Sequence, residues 1–289
     1  MKADYRSYLA LCKIRVAGLA TFSTAVAYVL TASSVSARFP VVVLGVFLLA
    51  CGSLALNQYQ ERGIDAAMPR TRTRPIPLGL IKPAHALSLS FLLLCSGLFA
   101  LLCTGNPLTC ALGLLALLWY NGLYPYLKRK TAFAAIPGAL IGAIPPAIGW
   151  VAGGGALQDP KLVALCFFFF IWQVPHTWLL MMRYGSEYEE AGLPSLTQIF
   201  SPSQLLRITV NWILATTVSG LFLSAVGLIH HLPIHLMLLT LSSWLAWNGI
   251  KPLLSRGGEF LSVPVYQKTN YYLVAVLFLL SADRLFLNR

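Results

Sequence analysis

The 289-residue chain is 57% hydrophobic and only 10% charged, with a mean hydropathy of +0.72 and a formal net charge of +12. A soluble domain carries about 25% charged residues, so the deficit excludes an ordinary water-soluble fold and makes a bilayer the expected solvent. Apolar runs of about 20 residues suit membrane-crossing helices, and those found here are too long and too uniformly apolar for the alternating strands of a barrel.

Residues 1–15 are polar and basic, and no small-residue cleavage site follows the first apolar run. The first span is therefore expected to stay in the membrane. Nine transmembrane helices are predicted, over 14–32, 41–56, 85–103, 108–124, 133–152, 162–182, 205–228, 234–250 and 271–286. All Lys and Arg except Arg38, Lys161, Arg284 and Arg289 fall on one side of this arrangement. The positive-inside bias makes that side cytoplasmic and places the N-terminus there. Topology thus accounts for most of the net charge, and no nucleic-acid partner is needed. Of the nine acids, Glu61 and Asp65 cluster with Glu187, Glu189 and Glu190 on the same face. Acidic residues contribute little to orientation, so they need another explanation.

After the second span, Asn57, Glu61 and Asp65 recur at intervals of four. On a helix that spacing stacks them along one face. Three oxygen donors in a row suit Mg²⁺, which takes one or two carboxylates and fills its remaining positions with water and phosphate oxygens. The next loop places Arg70, Arg72 and Arg74 at every second residue, and guanidinium forks match phosphate oxygens. Together they fit a Mg²⁺–diphosphate group; a salt-bridge cluster anchoring the topology fits the spacing as well.

At the end of the fourth span, Lys128-Arg129-Lys130 follow Tyr120, Tyr124 and Tyr126. Phosphate binding and an aromatic belt with positive-inside residues explain this stretch equally. Pro145-Pro146 inside the fifth span are expected to break the helix, which is tolerated at membrane depth where the backbone is buried or lines a cavity. The sixth span carries Gln173 and His176 one turn apart, within Trp172-Gln-Val-Pro-His-Thr-Trp178. An ionisable residue inside a span is a functional-site candidate by default, although a packing histidine also fits. His85, His230, His231 and His235 lie near span ends and read as interfacial. The six cysteines form no C-x-x-C pair and read as packing residues rather than a disulfide framework or zinc site.

Taken together, several stretches resemble the UbiA-type membrane prenyltransferases and, among them, the protoheme IX farnesyltransferase (heme O synthase) family. They are Tyr8 to Val16, Asn57 to Pro75, Tyr126 to Thr131, Pro145-Pro146 with Gly149-Trp150, and Trp172 to Trp178. The last is specific to the subfamily, whereas the Asn57–Asp65 block marks only the superfamily. The chain departs from the family pattern with Glu61 and Glu187 in place of aspartates, Ile14 in place of proline, Ala134 in place of asparagine and Thr177 in place of phenylalanine. The resemblance implies a single polytopic domain over residues 1–289, built as a UbiA-type bundle of nine helices in the inner (cytoplasmic) membrane. It implies Mg²⁺-dependent transfer of farnesyl from farnesyl diphosphate to heme B, with Asn57, Glu61, Asp65 and Glu187 holding metal. Arg62, Arg70, Arg74, Lys128 and Arg129 would neutralise the diphosphate, while Trp172, Gln173, His176 and Trp178 would meet the acceptor. His176 would either ligate the heme iron or orient the acceptor. A downstream heme-modifying or oxidase-assembly membrane protein is the expected partner. The alternative activity is prenyl transfer to another aromatic or quinone-precursor acceptor.

Overall fold

The N-terminal cap shows how local chemistry sets the first element: the Asp4 carboxylate accepts the Ser7 N–H at 2.9 Å and starts α1 (Tyr5–Leu11). The computed structural model describes residues 4–34, 36–254 and 262–287; Lys2, Arg256, Glu259 and Arg289 of the charge pattern lie outside the described residues. A break at Cys12 and Lys13 separates α1 from α2 (Ile14–Thr31). Then come α3 (Arg38–Gln60), α4 (Arg62–Ala67), α5 (Pro83–Leu102) and α6 (Pro107–Leu117). A π-helical turn, Leu118–Leu123, joins α6 to α7 (Tyr124–Lys128). After it come α8 (Ala135–Gly138), α9 (Leu140–Ala152), α10 (Pro160–Arg183), α11 (Gly185–Glu190), α12 (Pro202–Ala225), α13 (Leu232–Leu254) and α14 (Ser262–Leu287). Pro stands in the first turn of α5, α6, α10 and α12, where its missing N–H leaves no bond unmade.

The fold class is all-helical among the described residues, as expected. Seven helical runs are long and apolar enough to cross a bilayer: α2, α3, α5, the run through α6 and α7, the run through α8 and α9, α10 and α12. By that measure the expected nine is not reached among the described residues. The last two expected spans, α13 and α14, are helices of 23 and 26 residues in the expected places. They are diluted by Ser242, Ser243, Asn248 and Lys251 in one, and by Lys268, Asn270, Asp283 and Arg284 in the other.

The helices close into a ring. α2 packs on α3, α3 on α5, α5 on α6, α6 on α9, α9 on α10, α10 on α12, α12 on α13 and α13 on α14, which returns to α2. Contacts of α2 with α9 and of α10 with α14 cross the middle. The core runs through the ring from Val26 and Leu49 to Trp172 and Leu280. Small residues let backbones approach, as is usual between membrane helices: a Cβ on Gly149 would sit 2.0 Å from the Thr24 carbonyl oxygen of α2.

Pro145 and Pro146 do not break their helix. α9 runs through both, and the interruption falls earlier, at Ala139 between α8 and α9. Neighbouring helices supply extra donors here: Thr24 Oγ1 donates to the Pro145 carbonyl at 3.0 Å and Cys166 Sγ to that of Ala143 at 3.4 Å. These bonds tie α9 to α2 and α10; the carbonyls whose helical donors the two prolines remove are those of Ile141 and Gly142. All six cysteines are free.

At the end remote from the acidic cluster, Asp283 of α14 is buried to 1% exposure. Its carboxylate accepts the backbone N–H groups of His230 and His231 at 3.0 Å, and the Nδ1 atoms of both imidazoles lie 3.1–3.2 Å from it. Arg284 beside it donates to the Ala32 carbonyl at 3.2 Å. The start of α13 and the ends of α2 and α14 are therefore tied together.

Candidate active site

α3 ends at Gln60 and the chain turns at Glu61 before α4, but the helical progression survives the turn. The Glu61 N–H bonds the Asn57 carbonyl at 2.9 Å and the Asp65 N–H that of Glu61 at 2.8 Å. Asn57, Glu61 and Asp65 are thus held in register, and all are buried, at 4%, 5% and 2% exposure. Buried carboxylates must be paired, and each has its own cation. Lys128 Nζ lies 3.2 Å from both Glu61 oxygens, and Arg74 Nη1 lies 2.7 Å from both Asp65 oxygens. Thr71 Oγ1 donates to the Asp65 carbonyl at 3.0 Å and folds the arginine loop back over α4. From across the bundle, Glu187 of α11 accepts the Arg70 N–H at 2.9 Å. The Arg70 guanidinium lies 4.9 Å from the Tyr184 ring centroid and Lys128 Nζ 5.5 Å from that of Tyr188.

A third cation joins this group. Lys13, in the break between α1 and α2, is the only non-glycine with positive φ (+44°) among the described residues. An αL lysine is strained and persists only where its surroundings impose it. Gln58, next to Asn57, imposes it: its Nε2 donates to the carbonyls of Ala10 and Leu11 at 3.0 and 2.7 Å. Burial, with Arg74 nearby, pushes the Lys13 amine down to about 8, and Glu61 and Asp65 partly offset this. One turn below, Asn121 in the π-helical turn donates to the Ser53 carbonyl at 2.9 Å and to Gln60 Oε1 at 3.2 Å. Its own carbonyl takes Gln60 Nε2 at 2.9 Å, and Ser53 Oγ bonds its side chain. Single-turn π-bulges are frequent at functional sites; this one clamps α6 to the end of α3 that carries the acids.

The acceptor residues expected on α10 divide between its faces. Trp172 and His176, one turn apart, face α14. Trp172 Nε1 donates to the Thr269 carbonyl at 2.9 Å, and His176 Nδ1 lies 2.7 Å from Asn270 Oδ1. The imidazole sits between the rings of Trp172 and Tyr266, at centroid distances of 4.7 and 4.9 Å. Gln173 lies beside Gly142 of α9. The structure does not bring Trp178 to this group: it is 2% exposed in a separate apolar cluster, edge-on to Trp212 of α12. Nor does it bring Arg62 to the acids. That side chain is exposed, bonded to the Tyr59 carbonyl at 2.8 Å and stacked over its ring, and it lines an open groove with Arg129.

The donor set fits Mg²⁺ bound together with a phosphate ester. Among the described residues no three His, Cys, Asp or Glu converge as a closed metal cage. Two carboxylates and an amide supply part of a hard-oxygen shell, and Mg²⁺ characteristically leaves the rest to water and phosphate. Lys13, Arg74 and Lys128 supply the charge such an ester needs.

Comparison with known proteins agrees with this geometry. The profile of the UbiA prenyltransferase family matches residues 19–255. The chain is 40% identical over 226 residues to a protoheme IX farnesyltransferase of Geobacter sulfurreducens, covering 77% of this chain and 82% of that protein. It is 33% identical over 282 residues to one of Oleidesulfovibrio alaskensis, covering 97% of each. A digeranylgeranylglyceryl phosphate synthase has the same fold, with a TM-score of 0.77 at 16% identity, covering 96% of this chain and 98% of that one. So does a UbiA homolog from Archaeoglobus fulgidus bound to DMAPP and Mg²⁺, with a TM-score of 0.67 at 15% identity over 96% and 99% of the two chains. With the all-helical bundle, the buried acid–cation cluster and these likenesses together, the chain belongs to the UbiA prenyltransferase family, among its protoheme IX farnesyltransferases.

Proposed function

We propose that the protein transfers a farnesyl group from farnesyl diphosphate to protoheme IX (heme B), giving heme O, at the cytoplasmic face of the inner membrane, with its N-terminus on that side. The observation that carries this reading is the pair of buried ion pairs, Glu61–Lys128 and Asp65–Arg74, beside Arg70–Glu187. The relatives' substrate name identifies the acceptor, and the orientation follows from the Lys and Arg bias.

Asn57, Glu61 and Asp65 would hold Mg²⁺, and Glu187 would hold a second ion. Bound Mg²⁺ supplies charge neutralisation at the diphosphate as it leaves. The chain's own task is partner exchange. Arg74 and Lys128 turn from their carboxylates to phosphate oxygens, and Lys13 and Arg70 add to them. Cations preorganised where charge develops lower the barrier to C–O cleavage. Arg62 and Arg129 stand at the rim, where they attract the anion without touching it. The bond between farnesyl C1 and diphosphate oxygen breaks, leaving an allylic cation that the apolar helices keep from water. A porphyrin vinyl group attacks C1, water adds at the resulting cation, and one proton is released. The product carries a hydroxyethylfarnesyl group.

The test is incubation of the purified protein with heme B, farnesyl diphosphate and Mg²⁺, followed by mass analysis. The expected product has the mass of heme with one farnesyl group and one hydroxyl added. Asp65→Ala is expected to abolish it while membrane insertion persists. A prenylated quinone precursor in place of prenylated heme would overturn the acceptor assignment.

A further inference from the structure

Pro125 opens a gap in the helical run that carries Lys128, and a residue beside the acids fills it. In a regular α-helix the N–H of residue 125 would pair with the Asn121 carbonyl, but proline has no N–H and its ring crowds that carbonyl. The chain forms the π-helical turn Leu118–Leu123 here, and the Tyr124 N–H reaches five residues back to the Trp119 carbonyl. The Asn121 carbonyl takes a donor from another helix: Gln60 Nε2, at 2.9 Å. Gln60 ends α3, and Glu61 follows it directly.

The Asn121 side chain completes the joint. It is 7% exposed, and both of its polar atoms are paired with α3. Nδ2 donates to the Ser53 carbonyl at 2.9 Å and to Gln60 Oε1 at 3.2 Å. Oδ1 accepts from Ser53 Oγ. Gln60 therefore both gives a bond to Asn121 and takes one. Ser53 and Gln60 lie on either side of Asn57 along α3, so the joint grips the stretch from which the acidic row starts.

The turn also decides where Lys128 points. One residue of α-helix is about 100° of rotation and about 1.5 Å of rise. The extra residue in a π-helical turn rotates all that follows by about that angle. Lys128, at the end of α7, meets both Glu61 oxygens at 3.2 Å in this phase. An unbroken α-helix would carry it round to another face. The Gln60–Asn121 bonds thus tie the frame of Glu61 to the frame of Lys128 while touching neither charge.

We propose that Asn121 and Gln60 are positioning residues for prenyl transfer: they hold the π-helical turn that aims Lys128 at the departing diphosphate, and they act through Lys128. The proposal rests on the prenyl-diphosphate reading of the site and is independent of which acceptor is used. A cation that neutralises developing charge works by being in place beforehand, and a misplacement of about 1 Å can cost about 100-fold in rate.

The experiment is a double-variant cycle on the full-length protein in detergent. Its readout is kcat and KM for diphosphate release from farnesyl diphosphate with heme B and Mg²⁺. Asn121→Ala and Gln60→Met should each lower kcat about 10- to 100-fold and leave the KM for heme unchanged. In a Lys128→Met background neither should lower kcat further, because the group they aim is gone. A purely structural role would slow both backgrounds alike. Gln60 is half-buried and lines the open groove with Arg62, so Gln60→Met carries the cycle if Asn121→Ala fails to fold. Where turnover in Lys128→Met is too slow to time, the same cycle is read on the Kd for farnesyl diphosphate with Mg²⁺. There Gln60→Met should weaken binding in the wild-type background and not in the Lys128→Met one. Wild-type kcat in both single variants, or equal losses with and without Lys128, would overturn the proposal and leave the prenyl-transfer reading standing. A wild type that releases no diphosphate would overturn that reading and this proposal with it.

Discussion

Arg74 and Lys128 each neutralise a carboxylate that is almost wholly buried, and the cost of that burial governs what substitutions do. Removing one partner strands a charge, which costs about 3–5 kcal/mol, whereas replacing both members of such a pair is close to neutral. Arg74→Met should therefore lower the thermal unfolding temperature in detergent clearly, and Asp65→Asn/Arg74→Met should recover most of the loss. Both should be inactive. If the double variant is no more stable than Arg74→Met, the pair is not what holds the site together. Lys13 is a different case, because among the described residues no salt bridge satisfies it and burial already pushes its amine down. An arriving diphosphate relieves that strain, so Lys13→Met should raise the KM for farnesyl diphosphate about tenfold or more while leaving stability near wild type. Steady-state kinetics with varied farnesyl diphosphate tests this. The four-residue spacing made Asn57, Glu61 and Asp65 legible in the sequence, since stacking on a helix needs nothing else. It did not show which arginine would take Asp65, because turns within residues 68–82 decide that. The αL backbone of Lys13 has no sequence mark beyond a lysine in a break. Trp178 was grouped with His176 by motif. Two residues on a helix are about 200° apart, which sets it on the other face.

Helices α9 and α10 show where apolar pattern alone stops informing. Their existence follows from run length, and both lie where the apolar runs predicted. Pro145-Pro146 looked like a break, but α9 runs through both, packed on α2 and α10 by bonds that no local window contains. The α2–α9 contact depends on an absent side chain at Gly149. Gly149→Val should force the two backbones apart, and overpacking of this kind costs about 1–3 kcal/mol or more. The expected outcome is a lower unfolding temperature together with loss of activity, measured on the purified variant beside Gly63→Ala, whose added Cβ meets nothing within 4 Å. The acceptor side of the site was the least legible part. Tyr266, Thr269 and Asn270 sit in no motif, and only the packing of α14 against α10 brings them to Trp172 and His176.

Across the whole molecule, chemistry and fastening lie at opposite ends. One end carries the acids, their cations and the break at Lys13. The opposite end carries the Asp283 clasp, where one carboxylate takes two backbone N–H groups and approaches two imidazoles, and Arg284 reaches α2. A bundle pinned at one end can still spread at the other. The expectation is of tongs, with jaws that part to admit a long tail and a flat ring from the side and a fixed end that keeps the bilayer closed to ions. Hydrogen exchange should show this as slow exchange over residues 228–231 and 280–286 whether or not ligand is present. Residues 60–80 and 184–195 should exchange fast and slow down when Mg²⁺ and farnesyl diphosphate bind. Asp283→Leu should let the pinned end loosen, so that liposomes carrying the variant leak protons while those carrying the wild type do not.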